Sequence, residues 1–351
     1  MTAQDAKAAS SAPASAQMWQ HPGEIARWLL EHGEQPVPPL DITRVGIGQS
    51  NITTLIVDAR GNEWVMREPP PGAVSGTAHD VEREAGILQS LAPSGIPVPR
   101  VIGTGRSPGG TAFLMMNKVD GAALETEDDA RALSEQQRLQ LGLSVAVTLG
   151  RLHRVDPRTL GIRPSSTPYL TRQMRRVTEA WQRHGAASPH HDDWLSVHSR
   201  LEDQRPDAPA PVIMHGDFRL SNLLVRSGTI AAVLDWELCA LGDALADLAW
   251  LLDDWRPPTE AEIVMPSPTR AGGFPDREEM VAVYQELTGF TTDRLDYYRA
   301  FSQWRAASLL QGVLARRQAG AMGSHAAVAP ERLEHSIAVL LASAASHLDA
   351  L

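Results

Sequence analysis

Eight residues, His215-Gly216-Asp217-Phe218-Arg219-Leu220-Ser221-Asn222, lie between two three-residue apolar runs, Val212–Met214 and Leu223–Val225, and this arrangement restricts the folding of the chain more tightly than any other. Runs this short, flanked by polar and turn-forming residues, read as strands. A further run, Ile230–Leu234, follows Ser227-Gly228 in the manner of a hairpin. The hairpin returns the chain toward its start, so Asp235 comes back beside Asn222.

A tight loop with a carboxylate and a carboxamide five positions apart, followed by a second carboxylate after the next strand, suits a metal–phosphate centre. Mg²⁺ favours a carboxylate or two, an amide oxygen, phosphate oxygens and water. Asn222 and Asp235 fit as its ligands, which leaves Asp217 to orient a hydroxyl and accept its proton. By itself His-Gly-Asp is ordinarily a turn. The catalytic reading rests on the tripeptide, Asn222, the hairpin and Asp235 occurring together.

Upstream, Pro22–Glu31 predicts a short amphipathic helix with Ile25, Trp28 and Leu29 on one face. Thr53–Val57 and Trp64–Arg67 predict a hairpin across Asp58–Asn62, Asp80–Leu91 a helix, and Ala112–Met116 a strand ending in the polar turn Asn117–Gly121. From Ser134 the pattern turns helical, with one long helix ending before Asp156-Pro157 and later helices over Asp243–Leu252, Arg277–Thr288, Asp293–Arg317 and Pro330–Leu348. His184, His190 and His191 near Asp192 and Asp193 match no metal-ligand spacing and read as a solvated loop. Trp181, Trp194, Trp250, Trp255 and Trp304 read as core, with Trp255 or Trp304 as possible linings of an acceptor pocket.

HGDFRLSN resembles the motif of the aminoglycoside phosphotransferase family, a His-Gly-Asp followed by Asn. LDWELCALGDALADLAWLL is similar to that family's metal-binding aspartate segment and following helix, while VEREAGILQSL, GIPVPRVI and FLMMNKVDG resemble its amino-lobe helix, connector and hinge. The likeness covers about Val45 to Leu252. It implies an α+β, protein-kinase-like fold with a small β-rich N-lobe and a larger mainly helical C-lobe. Residues 1–17, rich in Ala and Ser and without a continuous apolar stretch, read as a disordered tail, and the resemblance divides the rest into a nucleotide-binding lobe over 18–116 and a catalytic and substrate-binding lobe over 117–351.

Carried over, the resemblance makes Asp217 the catalytic base, Asn222 and Asp235 the Mg²⁺ ligands, and His215 a brace for the loop. Asp243 and Asp247 match the family's second acidic pair, read here as helix capping or loop bracing. Gly46, Gly48, Ser50 and Asn51 form a loop through which backbone N–H groups approach phosphate. Arg67 stands where kinases usually carry lysine, with Glu84 on the next helix as its partner. That variation, with GQSN and a following PPG, resembles the branch of the family associated with acyl-CoA dehydrogenases. Val65 shares a strand face with Arg67 and should line the adenine slot, Leu224 should form its floor, and Asn117 to Val119 should supply backbone contacts.

The resemblance implies ATP or GTP and Mg²⁺ as cofactors and a small hydroxylated acceptor, a hydroxy acid or its acyl derivative ahead of an aminoglycoside or choline-type molecule. A nucleotide-binding pseudokinase or interaction module stays open because of Arg67, as does a metal-dependent hydrolase built on His215 and Asp217. Composition narrows the partners. A formal net charge of −10 disfavours nucleic acid, the short greasy segment Leu245–Leu252 with Asp247 disfavours a membrane span, and one cysteine, Cys239, fits a reducing cytoplasm.

Overall fold

The computed structural model describes residues 22–45, 51–70, 80–107, 109–319 and 328–351. Two compact units emerge, one formed by the described residues of Met1–Ala92 with those of Pro99–Val119 and the other by Pro93–Val98 with the described residues of Asp120–Leu351.

In the first unit α1 (Pro22–Glu31) precedes β1 (Asp41–Val45), β2 (Ile52–Val57), β3 (Glu63–Glu68), α2 (Val81–Leu91), β4 (Val101–Arg106) and β5 (Ala112–Asn117). The strands form one antiparallel sheet in the order β1-β2-β3-β5-β4. Alternation on β3 buries Trp64 and Met66 among Ile25, Leu29, Ile56, Phe113 and Met115 and leaves Val65 and Arg67 half-buried on the opposite face. Asp80 caps α2 by accepting the Arg83 N–H, which starts the helix where Val81, Ala85, Leu88 and Leu91 share a buried stripe with Glu84. β1 and β4 were not expected from the sequence. β1 is an edge strand with four of its five residues exposed, so it carries no alternating apolar signal.

The second unit contains α3 (Glu127–Arg131), α4 (Glu135–Arg154), α5 (Tyr169–His184), α6 (His191–Asp203), β6 (Val212–Met214), β7 (Leu223–Arg226), β8 (Thr229–Val233), β9 (Ala240–Gly242), α7 (Ala244–Asp254), α8 (Arg277–Thr288), α9 (Leu295–Gln318) and α10 (Pro330–Asp349). A capping box, Ser134 with Gln137, opens α4, and Val155 closes it just before Asp156. Pairing is local: β6 with β9, and β7 with β8. Trp194 stacks between Trp181 and Trp304, at ring centroid distances of 4.8 and 4.9 Å, and knits α5, α6 and α9 together.

His191 begins a helix where a solvated loop was expected, and its Nδ1 accepts the Trp181 indole N–H at 3.1 Å. Trp255 and Trp304 are enclosed in the core, the former tied by its Nε1–H to the Pro275 carbonyl. Among the described residues no helix is long and apolar enough to cross a membrane. The expected tail over 1–17 lies outside the described residues.

Candidate active site

β6 is buried along its whole length and delivers the chain into the loop at His215. The first two peptide groups of that loop are held by one side chain. Asp247 on α7 accepts the His215 N–H through Oδ2 at 2.6 Å and the Gly216 N–H through Oδ1 at 2.8 Å. His153, at the end of α4, bonds Oδ2 at 3.4 Å and reaches the Tyr284 hydroxyl at 2.7 Å through its other ring nitrogen. Burial pushes the Asp247 carboxyl up, but the hydrogen bond and charge of His153, with His215 and the Gly216 N–H, outweigh it and hold the group below the ordinary aspartate value.

His215 is fully buried and braces the loop at both ends. Its Nδ1 accepts the Asp217 N–H at 3.2 Å, so the proton sits on Nε2, which donates to the Leu234 carbonyl at 2.8 Å. The Leu234 N–H in turn donates to the Asn222 carbonyl at 2.8 Å. Asp235 follows directly, in a left-handed conformation with φ of 66°, which turns the chain out of the hairpin beside Asn222.

Both oxygens of Asp217 are fixed. Oδ1 accepts the Trp250 indole N–H at 2.7 Å, and Oδ2 accepts from Asn222 Nδ2 at 2.8 Å. Asn222 Nδ2 also donates to the Asp217 carbonyl at 2.9 Å. Both partners of that amide are pure acceptors, so its nitrogen must face Asp217 and its oxygen stays available. Asn222 and Asp235 therefore offer a carboxamide oxygen and a carboxylate from adjacent points of one hairpin. Oxygen donors of this kind, two from the protein, suit Mg²⁺ with phosphates and water completing its shell.

α7 contributes more than the sequence suggested. Asp243 makes no capping bond; it accepts the Tyr298 hydroxyl at 3.0 Å, and the bracing role falls to Asp247. Trp250, expected only as core, contacts Asp217. Asp254 pairs with Arg219 of the loop at 3.0 Å. Burial raises the Asp254 carboxyl to about 6, against the lowering effect of Arg219 and with a further push from Asp217. These side chains recur at 247, 250 and 254, the i, i+3, i+7 spacing of one helix face, and that spacing was the available signal.

Gly216 has φ of +87°, and a Cβ there would stand 2.7 Å from the Leu238 carbonyl oxygen. Gly216→Ala should destabilise the protein by about 1–2 kcal/mol from backbone conformation alone, with a further loss as Leu238 is displaced. A urea midpoint matching wild type would show that the loop does not need this geometry.

In the first unit Arg67 Nη1 meets Glu84 Oε1 at 2.5 Å, with side-chain exposures of 12% and 3%, as strand alternation and helix periodicity predict. Asn51 is buried, and neither atom of its amide has a partner among the described residues. Gly46, Gly48 and Ser50 lie outside the described residues. The N–H groups of Asn117 and Lys118 are engaged with the Arg100 and Glu63 carbonyls. The Asn117 side chain is occupied too, accepting the Arg100 N–H at 2.6 Å. Val65 and Val119 are half-buried. Leu224 in the second unit is half-buried between buried Leu223 and Val225.

The family model described as the phosphotransferase enzyme family (APH) matches residues 41–283. Acyl-CoA dehydrogenase family member 11 of Gallus gallus is 30% identical over 310 residues, covering 83% of this chain and 39% of that protein. The chain thus spans well under half the length of that relative. A solved structure from Ralstonia eutropha, provisionally described as an aminoglycoside phosphotransferase, is 26% identical with a TM-score of 0.75 over 92% of this chain and 97% of the other. The GDP complex of aminoglycoside 2′-phosphotransferase-IIIa shares the fold at 18% identity and a TM-score of 0.61, over 92% of this chain and 98% of the other.

Proposed function

We propose that this chain, which belongs to the phosphotransferase enzyme family, transfers the γ-phosphoryl group of ATP or GTP to a hydroxyl of a small hydroxy acid or its acyl derivative. The observation that carries the reading is the Asp217 carboxylate, fixed through both oxygens by Trp250 and Asn222 at the head of a loop anchored on Asp247. Each carboxylate oxygen keeps a lone pair beyond the bond it already accepts, so Asp217 can take an acceptor hydroxyl in a set direction.

The acceptor oxygen attacks the γ-phosphorus as its proton passes to Asp217. The bond from that phosphorus to the β,γ-bridging oxygen breaks, and the nucleoside diphosphate leaves with the electron pair. Positioning dominates such a reaction, which accounts for a base held rigidly through both of its oxygens. Asn222 and Asp235 would hold Mg²⁺, whose role when bound is to neutralise phosphate charge.

Arg67, held by Glu84, supplies a guanidinium able to bind two phosphate oxygens in place of the usual lysine. The Nδ2 group of Asn51, buried and without a partner among the described residues, can donate to a phosphate oxygen. Gly46, Gly48 and Ser50 are assigned to phosphate binding with them, and Val65, Val119 and Asn117 to the adenine-binding face of the first unit. GDP bound to aminoglycoside 2′-phosphotransferase-IIIa supports nucleotide binding by this fold. The acyl-CoA dehydrogenase relatives support an acyl-type acceptor, and the aminoglycoside phosphotransferases favour an aminoglycoside as the second reading.

The test is a thermal-shift and turnover experiment on the full chain. Nucleotide with Mg²⁺ at a hundredfold its Kd should stabilise the protein by about 2.7 kcal/mol, and chelating the metal should remove most of that gain. Turnover should follow with a hydroxy acid or its acyl derivative in a panel that also holds choline and aminoglycosides. Stabilisation without transfer to any acceptor would favour a binding module, and activity in the absence of nucleotide would favour a hydrolase.

A further inference from the structure

We propose that Arg305 binds an anionic group of the acceptor, so that the substrate is a hydroxylated carboxylate or phosphate rather than a neutral or cationic alcohol. This rests on Asp217 being the base of the transfer proposed above. The guanidinium carbon of Arg305 lies 4.8 Å from the centroid of the Trp250 ring, within cation–π range. The N–H of that same indole donates to Asp217 Oδ1 at 2.7 Å. One rigid ring therefore links the base to a cation.

Other arginines of the second unit have partners within the fold. Arg219 pairs with Asp254 at 3.0 Å, Arg299 with Asp253 at 3.1 Å, and Arg277 with Glu260. Arg172 stands over the Tyr169 ring at 6.0 Å, and its charge bears on Asp243. Arg305 is half-buried and has no carboxylate within ion-pair distance among the described residues. A guanidinium withdrawn from water without a counter-charge is unfavourable, and an anion brought by the substrate offsets that cost. Its separation from Asp217 by one indole suits a short molecule whose hydroxyl and anionic group are a few bonds apart. A polycationic acceptor would meet repulsion at the same place.

Two readouts on the full chain decide the matter, one of which needs no turnover. The first is kcat/KM for a short hydroxy acid, its neutral methyl ester, its coenzyme A thioester and an amino alcohol, with wild type, Arg305→Gln and Arg305→Lys. Arg305→Gln should lower kcat/KM for the acid roughly 10- to 100-fold, the scale of one charge-assisted contact, and lower it far less for the ester. Arg305→Lys should recover part of the loss.

The second readout is calorimetric binding of the corresponding acid lacking the hydroxyl, which cannot be phosphorylated. Wild type should bind it more tightly than its ester, and Arg305→Gln should erase the difference while its thermal midpoint stays near wild type. Arg305 dependence confined to the coenzyme A thioester would place the anion on phosphate instead of carboxylate. Equal binding of acid and ester by wild type and of the thioester by both proteins, or equal losses for every ligand in both variants, would overturn the proposal. Anion binding that depends on Arg305 without any phosphotransfer would leave this site standing and remove the kinase reading.

Discussion

Replacing Asp217 with asparagine should lower kcat roughly 10²–10⁴-fold while the nucleotide KM and the thermal midpoint stay close to wild type. The substitution keeps the volume and one acceptor oxygen. That oxygen can still take the Trp250 N–H now held at 2.7 Å, so the indole is not stranded. What disappears is the proton acceptor and the bond from Asn222 Nδ2, because the new amide nitrogen would face another donor. Asp217→Ala is the poorer probe, since it leaves the indole without its acceptor and the carboxamide with only the backbone carbonyl of residue 217, and mixes a folding defect into the rate. A single-turnover experiment separates chemistry from product release. Retention of kcat within about tenfold of wild type, below the ordinary range for removal of a general base, would exclude Asp217 from that role.

The catalytic hairpin was legible because its signals are local. Val212–Met214, Leu223–Val225 and Ile230–Leu234 are apolar runs of strand length, and the loop residues between them have few ways to lie. The Arg67–Glu84 pair was legible because two simple periods intersect: alternation puts Arg67 opposite Trp64 and Met66, and the helical repeat puts Glu84 beside Val81. Elements stabilised by their neighbours left no such mark. β1 is an exposed edge strand, β4 carries Gly103 and Gly105, and β9 has three residues that are strand only because β6 lies alongside. Trp250 was hidden for another reason. An indole is apolar over most of its surface, so composition assigns it to the core, whereas its one polar atom makes the contact of interest. The polar residues of α7 had to be read as one face before that contact became visible.

The largest effect on stability should come from Asp247. Its carboxylate is 1% exposed and satisfies the backbone N–H groups of His215 and Gly216 together with a ring nitrogen of His153. Asp247→Ala strands buried donors, each costing about 1–3 kcal/mol, and the total should be on the order of 3–5 kcal/mol, as when one member of a buried pair is removed. Against a typical total of about 5–15 kcal/mol such a loss is severe. Asp247→Asn retains one acceptor oxygen and should lose less, so the denaturation midpoints should rank wild type, Asn, Ala. Because the folded carboxyl lies below its ordinary value of 3.8, the folded state binds fewer protons than the unfolded chain in the interval between the two values. The stabilisation is therefore complete above the unfolded value and disappears as pH falls through the folded one. The gap between wild type and Asp247→Asn should be level from about pH 6 to about pH 8 and should narrow below about pH 4. A gap that widens on acidification, or midpoints that coincide at neutral pH, would show that the two backbone N–H groups are held by something other than this charge.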